Sequence, residues 1–182
     1  GATQLMWAIF SEDGELLVKK SVINDADALI SEQGYTLSTK LTKGQTYKAT
    51  FWAQNQNCTA YAVSDDMKVT VDYNGINNDE SRDAFYATSD VFSVNSPSIV
   101  TVTLRRPFAQ VNVGANEWDV EYAKEAGMEV KTSSATVKAV PNCINLFDGS
   151  LEGAVDVVYT ASAKPEEYLT VDVDRNGEDE VY

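Results

Sequence analysis

Short segments in which apolar and polar side chains alternate follow one another along most of the chain. The clearest runs over residues 46–54, where one face carries four side chains: Tyr47, Ala49, Phe51 and Ala53. The opposite face carries Lys48, Thr50, Trp52 and Gln54. Because side chains of a strand point alternately to its two faces, this segment is predicted to be a half-buried strand with one face against a core.

Comparable patterns predict further strands at residues 4–10, 15–20, 68–72, 84–92, 99–104, 108–113, 135–140, 143–147, 154–161 and 168–173. Asp13-Gly14 favours a tight hairpin turn between the first two. Pro107 has no amide donor, so it must lie at an edge, a bulge or a strand start. Helices are predicted only at residues 23–31 and 118–127, the second with Val120, Ala123 and Ala126 on one stripe. The prediction is an all-β fold, an antiparallel β-sandwich with one or two short helices.

Composition removes several classes of function. The 182 residues include 28 acidic and 14 basic side chains and no histidine, which gives a formal net charge of −14. Without histidine, Ser-His and Cys-His nucleophiles and histidine-ligated zinc are excluded. The negative surface would repel phosphate backbones, so nucleic acid is a poor partner, and no apolar run reaches the roughly 18 residues of a membrane helix.

The two cysteines, Cys58 and Cys143, lie too far apart in sequence for a CxxC site. Either they form a single disulfide, as in an exported protein, or both are unpaired and partly buried thiols; the second interpretation is favoured. Neither interpretation implies a nucleophile.

Two oxygen-rich segments could hold a hard cation such as Ca²⁺. Residues 72–83 have the wrong spacing for an EF-hand loop and are better explained as an ordinary polar loop. Asp172, Asp174 and Asn176 precede Gly177 and fit the opening of a calcium loop. A strand precedes them instead of a helix, so a solvated hairpin turn is favoured there over calcium.

Aromatic side chains could bind sugars by stacking, but Trp7, Trp52 and Trp118 each lie in or beside a predicted element, where aromatics usually build core. No pair of carboxylates stands out as the acid pair of a glycosidase. We therefore assign no catalytic, cofactor-binding or metal-binding residue, and we expect no enzyme and no cofactor.

Three strings resemble the fimbrillin-like proteins of Bacteroidales, the superfamily of type V pilus subunits and related outer-membrane lipoproteins. They read Tyr47-Lys-Ala-Thr-Phe-Trp-Ala-Gln54, Asn78-Asp-Glu-Ser-Arg-Asp-Ala-Phe-Tyr86 and Leu104-Arg-Arg-Pro-Phe-Ala-Gln-Val-Asn-Val113. The resemblance covers roughly residues 5–173 in element order and is most specific at residues 105–113.

The resemblance implies a transthyretin-like β-sandwich over residues 1–163 and, in residues 164–182, the start of a second, truncated β domain or a C-terminal strand. It implies an exported, lipidated precursor and a place on the outer membrane or in a fimbrium, where a disulfide between Cys58 and Cys143 could form. Phe51, Phe85 and Phe108 would point into the sandwich. Pro107 would set an edge, and Arg106 would pair with a nearby acid.

Type V pilins polymerise when a protease removes an N-terminal strand after a basic residue and a strand of another subunit fills the groove. No arginine lies in an obvious N-terminal processing loop here, although Lys19, Lys20, Lys40 and Lys43 remain. We expect a non-enzymatic cell-surface structural or adhesive protein, either a fimbrial subunit or a non-polymerising lipoprotein. Its partners would be other fimbrial subunits or surface ligands. The alternative is a glycan-binding surface module that uses exposed aromatics, with or without calcium.

Overall fold

A computed structural model describes residues 1–25, 34–74, 80–109, 117–128, 133–161, 170–171 and 180–181. The fold is all-β. The strands are β1 Gln4–Ser11, β2 Leu16–Ile23, β3 Thr46–Gln54, β4 Tyr61–Val63, β5 Lys68–Val71, β6 Ala84–Thr88, β7 Phe92–Ser93, β8 Ser133–Val140, β9 Cys143–Asn145, β10 Leu151–Glu152, β11 Val155–Ala161, β12 Thr170–Val171 and β13 Glu180–Val181. A 3-10 turn spans Glu80–Arg82 and an α-helix, α1, spans Glu117–Glu125.

The chain divides into two compact units. Gly1–Ala109 with Ala139–Val155 forms the first unit, and Gln110–Lys138 with Asp156–Tyr182 forms the second. The boundary predicted between residues 163 and 164 lies outside the described residues and stays a prediction.

The larger sheet of the first unit has the order β2-β1-β3-β6, and β7 also pairs with β3. The predicted hairpin of β1 and β2 is confirmed and is antiparallel. In its turn the Gly14 N–H donates to the Ser11 carbonyl at 3.1 Å, and Gly14 has a φ of 91°. The turn is therefore a three-residue loop with glycine in the left-handed position.

The smaller sheet has the order β10-β9-β5-β4. Its β4–β5 hairpin turns through Met67, a non-glycine residue with a φ of 59°. The Met67 N–H donates to the Ser64 carbonyl at 3.1 Å, and its side chain is fully buried. Burial of this side chain holds a backbone conformation that L-residues otherwise avoid.

The main core of the first unit joins both sheets, which makes the unit a sandwich. Its fully or largely buried members are Met6, Ala8, Phe10, Trp52, Met67, Val69, Ala84 and Leu146. They come from β1, β3 and β6 of the larger sheet and from β5 and the β4–β5 and β9–β10 connections of the smaller one. Alternation along these strands thus places apolar side chains from two layers against each other.

A second cluster covers the other face of the larger sheet. Ile9, Tyr47 and Ala49 are buried in it, and Phe51 packs against it. The prediction that β3 is half-buried was wrong, because both of its faces are covered. The face that includes Trp52 points into the main core, whereas Phe51 packs against the second cluster, so the prediction that Phe51 points into the sandwich was wrong.

Residues 99–104 were predicted to be a strand, and the structure shows none there. Ile99 is 91% exposed, and the flanking Arg105 makes an isolated antiparallel bridge to Tyr86. The predicted strand at residues 84–92 divides into β6 and β7. Strands β4 and β10 were missed, since two or three residues carry almost no periodic signal.

The remaining predictions of local structure divide into those confirmed and those outside the described residues. The helix at residues 118–127 and the strands at 135–140, 143–147 and 154–161 are confirmed within a few residues. Of the helix predicted at residues 23–31, Ile23 instead ends β2 and residues 26–31 are not described. At 108–113, Phe108 and Ala109 lie outside any strand and the rest is not described.

Candidate contact site

Strand β1 fills a slot between two neighbouring strands. It pairs with β3 along all eight residues, from Gln4 opposite Gln54 to Ser11 opposite Tyr47, and its other edge pairs with β2. Five of its side chains are buried: Leu5, Met6, Ala8, Ile9 and Phe10. Without β1, two strand edges and an apolar groove would be open.

The outer edge of β6 carries the motif on which the family resemblance is most specific. The main chains of Tyr86 and Arg105 exchange two hydrogen bonds, at 2.8 and 2.9 Å. Arg106 donates to both carboxylate oxygens of Asp83, at 2.8 and 3.2 Å, and these bonds lower the pKa of Asp83. The expected acid partner of Arg106 is confirmed, and Pro107 follows directly at this edge.

The two phenylalanines of this edge differ in their surroundings. Phe108 packs against the main core, where its ring stacks on Tyr61 with centroids 5.8 Å apart. Phe85 is half-buried and lies under the Arg106 guanidinium, 5.4 Å from its ring centroid. The prediction is confirmed for Phe108 and is wrong for Phe85, whose strand neighbours Ala84 and Tyr86 face the main core instead.

Tyr61 connects the core to a polar pocket of about 210 Å³ that Cys58, Asp72 and Arg82 help to line. The Tyr61 hydroxyl donates to the Arg82 carbonyl at 2.6 Å. Burial, and then the nearby Cys58, raise the pKa of Tyr61 to about 12. The Arg82 guanidinium donates to the carbonyls of Asp72 and Asn74, so it holds the main chain at the end of β5.

The polar loop predicted at residues 72–83 is described only in part, because residues 75–79 are not. In the described part, the Asp72 carboxylate accepts the Asn74 N–H at 2.9 Å, a local turn bond of the kind expected. Across the described ranges, no three acidic, cysteine or histidine side chains gather as metal ligands would. The calcium prediction for Asp172, Asp174 and Asn176 lies outside the described residues.

Cys58 and Cys143 are both half-buried free thiols in the structure. Cys143 in β9 pairs with Thr70 of β5, whereas Cys58 lies in the loop before β4. The structure thus corresponds to the unpaired alternative of the two that the sequence left open.

The three tryptophans have three different environments. Trp52 is fully buried, and Trp7 packs half-buried against the second cluster. Trp118 of α1 is 68% exposed, and Tyr122, four residues later, is 64% exposed. The core prediction is confirmed for Trp52 and is wrong for Trp118, because Trp118 is exposed. Of the stripe predicted on this helix, only Val120 and Ala123 are half-buried. Residues four apart share a helix face, so Trp118 and Tyr122 form one exposed aromatic pair.

Among the described residues, no helix is long and apolar enough to span a membrane. No curated protein matches the sequence.

A crystal structure of a "putative adhesin" from Bacteroides thetaiotaomicron VPI-5482 is similar, with a TM-score of 0.53 and 13% sequence identity. The match covers 99% of this chain and 60% of that one, and at this identity it shows a shared fold. Residues 3–177 match the family of unknown function DUF6562. The chain therefore belongs to that family.

Proposed function

We propose that this protein is a non-enzymatic structural or adhesive protein of the cell surface. In the finer form of the proposal it is a fimbrial subunit or a fimbrillin-like outer-membrane lipoprotein that acts through β-strand exchange and surface contacts. The fold similarity to the Bacteroides protein called an adhesin supports the coarse form. The observation that carries the finer form is the position of β1 in the larger sheet.

Strand β1 has the properties that an exchangeable strand needs. It pairs along both edges, so a replacement strand recovers main-chain hydrogen bonds on two sides. Its buried side chains alternate toward two clusters, with Met6, Ala8 and Phe10 in the main core and Ile9 in the second. The groove would therefore select an incoming strand by its side chains as well as by its backbone.

Strand exchange can be tested without deleting β1. A protease site replaces residues 12–14 in the β1–β2 turn, and cleavage leaves residues 1–11 held without a covalent link. A fluorescent peptide of the β1 sequence is then added in excess. We expect the peptide to displace the cut strand, which is measured as fluorescence co-eluting with the protein.

The matched control is the same peptide with Ala8→Trp. Ala8 is fully buried opposite Thr50, so an indole there cannot enter the groove and no exchange is expected. Equal uptake of both peptides, or uptake of neither, contradicts strand exchange. A deletion of residues 2–18 that folds yet binds no β1 peptide contradicts it as well.

The surface location is tested separately on cells that make the natural protein. Antibodies against this chain are expected to label intact cells, and metabolic labelling with a fatty-acid analogue is expected to mark the precursor. Labelling only after lysis, with no lipid attached, contradicts a surface lipoprotein.

A second candidate function rests on the exposed pair of Trp118 and Tyr122. Aromatic rings present flat apolar faces on which the C–H faces of sugars stack, and α1 also carries the exposed acids Glu121 and Glu125, which can accept hydrogen bonds from hydroxyls. On a glycan array, we expect Trp118→Ala to lose binding and Tyr35→Ala, an exposed aromatic elsewhere, to retain it. An inert array for the unchanged protein contradicts this candidate, and comparison with and without a chelator tests a role of calcium.

A further inference from the structure

Residues 98–104 form an exposed segment without regular pairing inside the first unit. Their sequence is Ser-Ile-Val-Thr-Val-Thr-Leu, which is uncharged and rich in β-branched residues, the composition of a strand. Ile99, Val100, Thr101 and Thr103 are exposed, whereas Val102 and Leu104 are half-buried. In the part of the chain that the structure describes, no main-chain hydrogen bond joins this segment to another.

Two features set the length of any strand that this segment could form. Pro97 precedes the segment and Pro107 follows Arg105-Arg106, and neither proline can donate a main-chain hydrogen bond. The bridge of Arg105 to Tyr86 fixes the C-terminal end beside β6. Because main-chain groups of successive strand residues point to opposite edges, an extended segment directs its odd residues toward β6 and its even residues to the free edge.

Around Thr101, the central residue of the segment, the residues out to positions 99 and 103 are β-branched on both sides, whereas the end residues Ser98 and Leu104 differ. Val100 and Val102 lie on either side of it, and Ile99 and Thr103 lie one position further out. An antiparallel pair of two identical strands centred on Thr101 sets valine against valine and isoleucine against threonine, all of them β-branched residues that favour strands. It also keeps the two exposed Arg105 side chains at opposite ends, each beside Pro97 of the other strand.

We propose that residues 98–104 form the interface of a two-fold symmetric homodimer, in which the segments of two copies pair as antiparallel strands centred on Thr101. This interface is independent of β1 exchange and goes beyond the proposed function. A second copy is the partner that fits, because the segment is self-complementary under two-fold rotation. The uncharged segment also provides a place where two chains of net charge −14 can meet.

The register makes a specific geometric prediction. The even residues of each segment exchange the hydrogen bonds between copies, so the two Thr101 residues form a non-hydrogen-bonded pair with Cα atoms about 4.5 Å apart. That spacing is within the range of a disulfide. Thr103 instead faces Ile99 of the other copy, and the two Thr103 residues lie roughly 13 Å apart at the usual rise of a strand.

The test uses the whole chain with Cys58→Ser and Cys143→Ser, to which either Thr101→Cys or Thr103→Cys is added. Both positions are exposed threonines, so the variants are matched in residue type and environment. Under mild oxidation, we expect Thr101→Cys to form a covalent dimer at least about tenfold faster than Thr103→Cys, because only its sulfur atoms meet.

Sedimentation of the unchanged protein supplies the second measurement. We expect the mass to rise with concentration from 19.9 kDa toward twice that value, and to rise more readily at higher salt, which screens the repulsion of two acidic chains. Val100→Pro removes a main-chain donor of the proposed pairing. We expect this variant to be folded by circular dichroism and monomeric by sedimentation. A monomer at all concentrations, equal cross-linking of the two cysteine variants, or a dimer unaffected by Val100→Pro would overturn the proposal.

Discussion

Strand β3 and residues 98–104 carry the same alternating pattern and have opposite environments. β3 pairs with β1 on one edge and with β6 and β7 on the other, and each of its faces lies against a hydrophobic cluster. Residues 98–104 have no such neighbours among the described residues. Alternation therefore measures how well a segment can form a strand, and the rest of the fold decides whether it finds a partner.

The main chain around β6 explains part of this difference. Continuing the antiparallel register from the Tyr86–Arg105 pair would place Pro107 opposite Ala84 and Thr103 opposite Thr88. Pro107 cannot donate the bond that Ala84 would need. On the side of Pro107 the pairing therefore stops at one bridge. Toward Thr103, the chain leaves β6 without a further bridge among the described residues.

The largest difference in stability is expected between Trp52→Ala and Ile99→Ala. Trp52 is fully buried, and its Nε1–H donates to the Gln54 amide oxygen at 2.8 Å. Its truncation leaves a cavity and an unpaired polar group, so we expect a loss of about 3–5 kcal/mol in the free energy of unfolding. Ile99→Ala is expected to change it by less than about 0.5 kcal/mol.

Urea denaturation of a protein kept dilute enough to be monomeric measures both values. Equal effects of the two substitutions would mean that residues 98–104 pack in solution as β3 does, which would remove the contrast.

A second test concerns Met67, the buried turn residue of the smaller sheet. Met67→Ala is expected to lose about 2–5 kcal/mol, because a buried side chain is truncated. Met67→Gly is expected to be about 1 kcal/mol less damaging than Met67→Ala, since glycine adopts a φ of 59° without a Cβ penalty.

The control for this prediction is Val69, which is also fully buried but lies in a strand with ordinary φ. There the usual order should hold, with Val69→Gly more destabilising than Val69→Ala. The same order at both positions would show that the backbone of Met67 is not strained.

The sequence predicted most of the long elements because their signals are local. Asp13-Gly14 marked the first hairpin, and the period-two pattern located β3 and β5. The face of β3 toward the main core was not predictable in this way, because Thr50 and Gln54 look polar in the sequence. Gln54 is buried through bonds from Trp52 and to the Cys58 carbonyl, and these contacts appear only in three dimensions.

The candidate site was less predictable than the fold. The pairing of Arg106 with an acid followed from the family resemblance, but that the acid is Asp83 required the structure. Trp118 was expected in a core because aromatics usually are, and its neighbours Asp119 and Glu121 were the signal for an exposed face. No local pattern indicated that residues 98–104 would lack a partner, since pairing depends on segments distant in the sequence.

A smaller effect is expected from Thr50→Val in the centre of β3. The Thr50 hydroxyl is buried and, in the described structure, has no hydrogen-bond partner. Its replacement by an isosteric methyl group should raise the free energy of unfolding by about 1 kcal/mol. Thr88→Val, on the cross-strand neighbour, should lower it, because that hydroxyl donates to Leu146. If both substitutions destabilise, the Thr50 hydroxyl has a partner in solution.

The smallest effect concerns Tyr61, at the boundary between the core and the solvent. Tyr61→Phe removes the hydrogen bond to the Arg82 carbonyl, and we expect a loss of about 1 kcal/mol at neutral pH. Burial raises the pKa of Tyr61 in the folded protein from 10.0 to about 12. Between these pH values the unfolded chain has released the phenol proton and the folded chain retains it, so the contribution of Tyr61 to stability is complete below pH 10 and is lost as the pH rises toward 12.

The difference in unfolding free energy between the unchanged protein and Tyr61→Phe should therefore shrink over this range, because phenylalanine has no proton to release. Tyr35→Phe, at an exposed tyrosine, is the matched control and should give a constant difference. A constant difference for Tyr61→Phe as well would mean that water reaches the Tyr61 hydroxyl, although its ring packs against Trp52 and Phe108.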